Sequence, residues 1–142
     1  MTVAISTDAA QSGWLKLKIL GNATAVANQL GQLLNPEGVL LQILDAYLYT
    51  VVAAADAATL DIGVTATSGA DSTNMCSALA LNAAAPNVKR ICGGNVASQA
   101  ALVGGQNGIQ WGAAEYLSVY NPAAVASTLL EAYLFIEYLR LV

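Results

Sequence analysis

Residues 39–52, VLLQILDAYLYTVV, decide between two fold classes. Together with the alanines that follow, this apolar run is almost long enough to cross a bilayer as a helix. Asp45 would then lie near the middle of the membrane, where a carboxylate costs roughly 2.5 to 3.5 kcal/mol on insertion scales. The segment NPEG before the run supplies no basic anchor. We therefore predict a long β-strand here and no membrane partner.

Alternation along the run assigns its side chains to two faces of a sheet. A short alanine-rich turn separates it from residues 59–67, TLDIGVTAT, where apolar side chains again occupy every second position. We predict that the two strands form a hairpin and that Asp61 points outward. On the first strand, the predicted faces are Leu41, Ile43, Asp45, Tyr47, Tyr49 and Val51 on one side, and Leu40, Leu44, Leu48 and Val52 on the other.

Three further segments predict strands. Residues 14–20, WLKLKIL, alternate apolar residues with lysine. Residues 23–38, ATAVANQLGQLLNPEG, fit a helix or a strand, and Gly31, which weakens a helix by about 1 kcal/mol relative to alanine, favours the strand. Residues 127–142 also fit both patterns, and their three aromatic residues favour a strand. In contrast, residues 68–108 are rich in glycine, alanine, serine and asparagine, and we predict long loops there.

Several strands separated by turns, without helices between them, are typical of a β-sandwich. We predict an all-β fold, a jelly-roll-like antiparallel β-sandwich with long Gly/Ala/Ser-rich loops. The length of 142 residues fits one domain. Because the first clear strand starts at Trp14, the predicted organisation is a flexible N-terminal arm at residues 1–13 followed by a single β-sandwich at residues 14–142.

The composition limits the partners of this chain. Only 10% of its residues are charged, against about 25% in an ordinary soluble domain, and the mean hydropathy is +0.56. We expect other subunits to cover part of such a surface. The nine acidic and five basic residues give a net charge of −4, and no cluster of bases could follow a phosphate backbone, so we predict no nucleic-acid partner. The N-terminus resembles no signal peptide, which makes the cytoplasm the default compartment.

The two cysteines leave two alternatives. Cys76 and Cys92 enclose a loop of about 15 residues, where a disulfide would contribute roughly 3 kcal/mol in the chain-entropy model. In a reducing cytoplasm the alternative is a pair of small, buried, apolar residues. We expect both thiols to be reduced.

The chain contains no histidine, and this removes the commonest general base, the usual catalytic triads and most zinc and copper sites. We predict no catalytic, cofactor-binding or metal-binding residue. The segment DSTNMCSALALN lacks the central glycine and closing glutamate of an EF-hand. A different calcium site, through Asp71 and Asn74, has oxygen ligands of the right kind but too few for a cage. A solvated turn is the favoured interpretation of the segment SGADSTN.

Glycoside hydrolysis would require paired carboxylates, and the candidates are Glu131, Glu137 and Asp45. Glu131 and Glu137 lie six positions apart on one face of a strand, about 20 Å, which is too far for either carboxylate geometry. Charged side chains on an outward strand face are the simpler interpretation. Trp14, Trp111 and the tyrosines are predicted to be core or interface residues rather than a ligand box.

Two motifs resemble a known family. An Asn-Pro-x-Gly turn precedes a long strand, and a TLDIGV strand runs into a polar Asp/Ser loop. In this order, and with residues 115–139 near the end of the chain, they resemble the small jelly-roll cement, or decoration, proteins that coat the capsids of tailed bacteriophages. The similarity covers roughly residues 25–80 and 110–138. The matching residues are Asn35, Pro36 and Gly38, then Thr59, Leu60, Asp61, Gly63 and Val64.

The resemblance implies a structural virion protein with no enzymatic activity and no cofactor. It implies binding to the outer surface of a capsid, where the major capsid protein is the partner and neighbouring capsid subunits are cemented together by buried area and by strand addition at exposed edges. Such a protein would be made in the host cytoplasm and would form a homo-oligomer, a dimer or a trimer, on the shell. The alternatives are a self-assembling fibre or pilus-like subunit and, less well supported, a sugar-binding or hydrolytic β-sandwich.

Overall fold

The computed structural model describes residues 12–92 and 109–141, and every regular element in these ranges is a β-strand. In the same ranges, no helix is long and apolar enough to cross a membrane. The strands are β1 (Ser12–Leu20), β2 (Asn28–Leu34), β3 (Leu41–Val52), β4 (Thr59–Thr65), β5 (Cys76–Ala80), β6 (Asn87–Cys92), β7 (Ile109–Trp111), β8 (Tyr116–Asn121) and β9 (Glu131–Arg140).

The strands form two antiparallel sheets. The first sheet has the order β1-β9-β3-β6, and the short β7 pairs with the other end of the same edge of β3. The second sheet has the order β2-β8-β4-β5. The chain passes back and forth between the sheets, which is the winding of a double-sheet jelly roll. The predicted all-β, jelly-roll-like antiparallel sandwich is confirmed.

The predicted hairpin between β3 and β4 is wrong. The first sheet contains β3, which pairs with β9 on one side and with β6 and β7 on the other. The second sheet contains β4, between β8 and β5. Residues 53–58 carry the chain from one sheet to the other. Alternation identifies a strand, but in a jelly roll the hydrogen-bonded partner is set by contacts that are distant in sequence.

A β-bulge makes the predicted faces of β3 wrong as well. The register of β3 against β9 shifts between Ile43 and Asp45, so that Leu44 is an extra residue without a partner. Such a residue exchanges the two faces of the strand from that point onward. Before the bulge, Leu41 and Ile43 point into the core; after it, Ala46, Leu48 and Thr50 are buried, and Tyr47 and Tyr49 point outward.

The core lies between the two sheets. The strand predicted within residues 127–142 is confirmed as β9. From Glu131 to Leu139 its even-numbered side chains are buried and its odd-numbered ones are half-buried on the outer side. Trp111, on β7, is completely buried, and its indole Nε1 donates a hydrogen bond to the backbone oxygen of Glu115, 2.9 Å away. The buried side chains of β9 and its preceding residue are Leu130, Ala132, Leu134, Ile136 and Tyr138.

Two Asn-Pro turns have the same hydrogen-bond pattern. The side-chain oxygen of Asn35 accepts from the backbone nitrogen of Glu37, and its amide nitrogen donates to the backbone oxygen of Val39 at 2.8 Å. Asn121 accepts from Ala123 and donates to Val125, also at 2.8 Å. Both asparagines are buried. Each amide therefore replaces the hydrogen bonds that the proline-containing turn cannot make itself.

The region predicted to consist of long loops contains two strands, β5 and β6. Their alanine-rich and polar sequences show little alternation of apolar and polar residues. Backbone hydrogen bonds to β4 and β3, rather than the local sequence pattern, make these segments strands. At the other end, β1 begins at Ser12, two residues before the predicted start at Trp14. Residues 1–11, which make up most of the predicted arm, lie outside the described residues.

Cys76 is buried in the core and carries a free thiol. Burial is the largest of the influences that raise the pKa of this thiol to about 12, and the negative charge of Asp61 adds to it. The thiol is therefore protonated and unreactive at neutral pH. The side chain of Cys92 lies outside the described residues, so the expected redox state of the pair stays a prediction.

Candidate functional site

The outward side of the first sheet carries an aromatic surface, which we call the open face. It is formed by the outward side chains of β1, β9, β3 and β6. Its most exposed apolar side chains are Trp14 at 59%, Leu20 at 56% and Val88 at 63%. The half-buried rings between them belong to Tyr47, Tyr49, Tyr133 and Phe135.

Strand register arranges these side chains in rows across the sheet. In one row, Lys16 on β1 lies opposite Phe135 on β9, which lies opposite Tyr47 on β3, which lies opposite Arg90 on β6. The next row contains Lys18, Tyr133, Tyr49 and Val88 in the same order. Each row therefore has aromatic rings at its centre and, on β1, a cation at its end.

An open groove of about 380 Å³ runs across this face. The side chains that line it are aromatic or aliphatic: Trp14, Tyr47, Tyr49, Val88 and Phe135. A groove of this kind offers apolar contact area and ring faces but few hydrogen-bonding groups. It is therefore suited to an apolar or aromatic protein surface.

The charged groups at one end of the open face hold one another in place. Asp45 receives two hydrogen bonds from Arg90, at 3.0 and 2.7 Å, and a third from the hydroxyl of Tyr47 at 3.0 Å. Partial burial, the largest single influence, raises the pKa of Asp45, but the hydrogen bonds from Arg90, Tyr47 and the backbone of Ala46 outweigh it and leave the pKa below its ordinary value. Asp45 is thus a fixed carboxylate that orients the Tyr47 ring.

Lysines lie over the rings at the other side of the face. The ammonium of Lys16 is 4.3 Å from the centre of the Tyr133 ring and 5.8 Å from that of Phe135, which are cation–π distances. Lys18 forms a salt bridge of 3.4 Å with Glu131. The lysine stems cover part of the aromatic surface while keeping their charges in water.

The outward side of the second sheet is different, because the chain covers it. Residues 66–75, which we call the covering loop, cross from β4 over β8 towards β2. Ser118 on β8 donates to the backbone oxygen of Ala70 at 2.7 Å, and Gln32 on β2 accepts from the backbone nitrogen of Gly69 at 2.7 Å. Ser118 is completely buried as a result.

Asn74 and Ser72 attach the covering loop to β4. The Asn74 amide pairs with both backbone groups of Val64, at 2.8 Å from its nitrogen and 3.0 Å from its oxygen, and the Ser72 hydroxyl donates to the same oxygen at 2.9 Å. A Cβ atom on Gly63 would lie 2.5 Å from the Asn74 side-chain oxygen and 2.8 Å from the Ser72 backbone oxygen. Only glycine fits at that position beneath the loop.

Within the segment SGADSTN, residues 68–74, the predicted solvated turn is therefore right for the exposed Ser68, Gly69 and Asp71. It is wrong for the other four residues, which are half-buried where the loop folds back onto the sheet. Asp61 points outward as predicted, yet it is only 4% exposed and accepts a hydrogen bond from the backbone nitrogen of Ala78 at 2.7 Å. Burial, and then the neighbouring carboxylate of Asp61, raise the pKa of Asp71 above its ordinary value.

Of the three considered carboxylates, the structure brings two side by side, but one of these two is already engaged in an ion pair. Glu131 and Glu137 lie at opposite ends of β9, and Glu137 lies opposite Asp45 on β3. Both oxygens of Asp45 are already occupied by Arg90. Among the described residues, no group of three or more His, Cys, Asp or Glu side chains could hold a metal ion. The Asn74 oxygen of the considered calcium site bonds to the backbone of Val64 instead.

Sequence reasoning missed the open face as a site. It grouped the tryptophans together as core or interface residues, whereas the structure separates them: Trp111 is fully buried and Trp14 is exposed. The signal was present in the alternation of Trp14 with the inward leucines of β1, which places the tryptophan on the lysine side. The matching tyrosines of β3 could not be assigned to that side because the bulge at Leu44 was not visible in the sequence.

Comparison with known proteins is limited to the fold. No protein-family model matches the chain, and no curated protein sequence matches it. A chain in the solved structure of the capsid of Ralstonia phage GP4 aligns with 100% of this chain and 92% of its own length, with a TM-score of 0.57 and 14% identity. A chain from the capsid asymmetric unit of cyanophage Pam1 aligns with 99% of this chain and 94% of its own, at 15% identity, but the TM-score of 0.44 is too low to establish a common fold. The first similarity shows the same sandwich architecture over the whole chain.

Proposed function

We propose that this chain is a structural protein of a phage virion that binds the outer surface of the capsid and cements neighbouring major capsid subunits. The observation that carries the proposal is the whole-length match to a chain of the Ralstonia phage GP4 capsid, because 92% of that chain and all of this one are accounted for by the same jelly roll. A jelly roll also supports many other functions, so the proposal needs support from the surface itself.

The described surface supports a binding protein rather than an enzyme. Its groove is lined by apolar and aromatic side chains, and the described residues that line it include no His, Cys, Asp or Glu. The carboxylates of the open face are held by arginine, lysine or tyrosine groups or lie at opposite ends of a strand. Aromatic surface of this kind is enriched at the centres of protein interfaces, where it contributes contact area with little loss of conformational freedom.

Strand edges provide a second means of binding. Among the described strands, the edge strands are β1, β6 and β7 in the first sheet and β2 and β5 in the second, and β1 is the longest of them with nine residues. An extended segment of a neighbouring capsid subunit would add to such an edge through backbone hydrogen bonds. The exposed Lys16 and Lys18 on β1 act against indiscriminate edge-to-edge pairing.

The test is reconstitution on capsid shells that lack this protein. We expect the purified chain to bind such shells in a saturable, stoichiometric manner, to appear on their outer surface in electron micrographs, and to raise the temperature at which they rupture. Binding without any change in rupture temperature would contradict the cementing role. Filaments formed by the purified chain alone would identify the fibre or pilus-like alternative instead.

A further inference from the structure

We propose that Leu129 is a rigid apolar anchor residue that inserts into an apolar pocket on the surface of a capsid subunit. The inference rests on the proposed function, because it names one of the contacts through which that function would be exerted. It starts from a conflict between the leucine side chain and its own backbone conformation.

Leu129 has a backbone conformation that suits glycine or asparagine. It is the third residue of a β-turn in which the backbone nitrogen of Leu130 donates to the oxygen of Ser127 at 3.1 Å. The φ angle of Leu129 is +69°, while that of Thr128 before it is negative, and these are the signs of a type II turn. Glycine or asparagine is expected at this position, because a bulky side chain in the left-handed region is crowded against the backbone. The leucine therefore lowers the stability of the turn.

Hydrogen bonds on both sides hold the turn in this conformation. The backbone oxygen of Leu130 accepts from the nitrogen of Gly21 at 2.9 Å, which ties the turn to the connection between β1 and β2. The backbone oxygen of Thr128 accepts from the nitrogen of Ala55 at 3.0 Å, which ties it to the connection between β3 and β4. The side chain of Leu130 is buried in the core. The surrounding structure thus fixes the place from which Leu129 projects.

The fold gains little from the side chain of Leu129. It is 69% exposed, the highest value among the exposed large apolar side chains of the described residues. A single exposed leucine is ordinary, but one that also strains the backbone is not. Ala78, the other described non-glycine residue with a positive φ, lies where β5 bulges against β4, and its nitrogen donates to Asp61. No described contact gives Leu129 a comparable structural role, and strain without such a role is typical of binding sites.

Two further exposed apolar side chains flank the anchor. Leu20 on β1 and Val52 on β3 lie opposite Glu131 from the two sides of β9, at the end of the sheet where Leu129 leads into that strand. Beside them, Lys18 and Glu131 neutralise each other in a salt bridge of 3.4 Å. We call the three apolar residues the apolar tip. An apolar centre with a paired, solvated rim is the arrangement of the central part of a protein interface.

The chemistry of the apolar tip favours a pocket in a protein as its partner. A large side chain that enters a closely fitting pocket can contribute much of the binding energy of an interface. Because the turn already holds Leu129 in place, little conformational freedom is lost on binding. A lipid surface is disfavoured, since a chain with five basic residues and a net charge of −4 is not attracted to anionic headgroups.

The experiment is a titration of capsid shells that lack this protein, together with thermal unfolding of each purified variant. Leu129→Asn keeps the backbone conformation and removes the apolar anchor. We expect it to bind the shells at least about tenfold more weakly, as the loss of one buried leucine predicts. Its melting temperature should equal that of the wild type or exceed it by up to about 4 °C, because asparagine tolerates the left-handed conformation.

Two further variants are the controls. Leu40→Asn removes an exposed leucine at the opposite end of β3 from Val52, and should bind the shells as tightly as the wild type. Leu129→Met keeps an apolar side chain of similar size on the same backbone and should retain most of the binding. Together they separate the loss of this anchor from the loss of any exposed leucine and from a change in the turn.

The outcomes distinguish this inference from the proposed function. A wild type that does not bind the shells would overturn both. A wild type that binds, with Leu129→Asn binding equally well, would overturn the anchor and leave the cementing role standing. Equal losses for Leu129→Asn and Leu40→Asn would also overturn the anchor. So would a melting temperature of Leu129→Asn more than about 4 °C below that of the wild type, because the leucine would then serve folding.

Discussion

On the second sheet the chain covers its own outer face, whereas on the first sheet the outer face is open. The covering loop buries Gly63 and Ser118, and its polar side chains form hydrogen bonds with backbone groups of β4. The open face instead presents Trp14 and the rings around it to the surroundings. A substitution at an outward position should therefore have different effects on the two sheets. On the covered face it should change folding stability, and on the open face it should change the binding of a partner.

On the covered face, the largest effect is expected from Gly63→Ala. Its Cβ would meet the Ser72 backbone and the Asn74 side chain, and we expect a loss of about 1 to 3 kcal/mol of unfolding free energy in urea. Gly31→Ala is the control, since its Cβ has ordinary contacts, the nearest 3.4 Å away. Equal costs for the two substitutions would show that the loop is not packed as described.

The next largest loss of unfolding free energy on this face is expected from Asn74→Ala, which tests how the covering loop is attached to β4. It removes the hydrogen bonds to both backbone groups of Val64, which should cost about 1 to 2 kcal/mol. Amide hydrogen exchange at Val64 should accelerate as well, because its nitrogen loses its acceptor. The control is Thr67→Ala at an exposed position of the same loop, expected to change stability by less than about 0.5 kcal/mol. An unchanged exchange rate at Val64 would contradict the attachment.

Phe135→Ala probes the open face, where stability should change little. A cross-strand aromatic contact contributes roughly 0.2 to 1 kcal/mol, and we expect a loss within that range, together with weaker binding to capsid shells that lack this protein. Its neighbour Leu134 points into the core, and Leu134→Ala should cost about 2 to 5 kcal/mol in the same urea titration. If Phe135→Ala costs as much as Leu134→Ala, the face is part of the folding core and the comparison fails.

The smallest effects are dependences on pH, and they have opposite signs on the two faces. The pKa of Asp71 is raised in the folded state. The stabilisation that its protonated carboxyl group gives to the folded protein is therefore present below pH 3.8, the ordinary pKa, and is lost as the pH rises through the folded-state pKa. Asp71→Asn removes repulsion from Asp61 and should therefore stabilise the protein by a few tenths of a kcal/mol at pH 7, and not at pH 3.

The pKa of Asp45, on the open face, is lowered in the folded state. The stabilisation that its ionised carboxylate gives to the folded protein is therefore present above pH 3.8, the ordinary pKa, and is lost as the pH falls through the folded-state pKa. Asp45→Asn should destabilise the protein at pH 7 by up to about 1 kcal/mol, and by less at pH 3. Urea titrations of both variants and the wild type at the two pH values test this. Changes of the same sign for both variants at pH 7 would contradict the contrast between the faces.

The sequence by itself was sufficient for the fold class and for the inward side of strands with uninterrupted alternation. In β9, alternation holds from Leu130 to Tyr138 because every second side chain meets the core, and period two is then the direct consequence of the pleat. The absence of histidine was equally informative, since it removed whole classes of chemistry without any structure.

Only the tertiary structure decided which strands pair, where the register shifts and which polar residues are buried. The bulge at Leu44 has no local signature, yet it moves Tyr47 and Tyr49 to the outer side and so creates the open face. Likewise, nothing near Asp61 or Gly63 shows that residues 66–75 will fold over them. Pairing and coverage are decided by contacts between residues far apart in the chain, and a pattern of neighbouring residues carries no information about them.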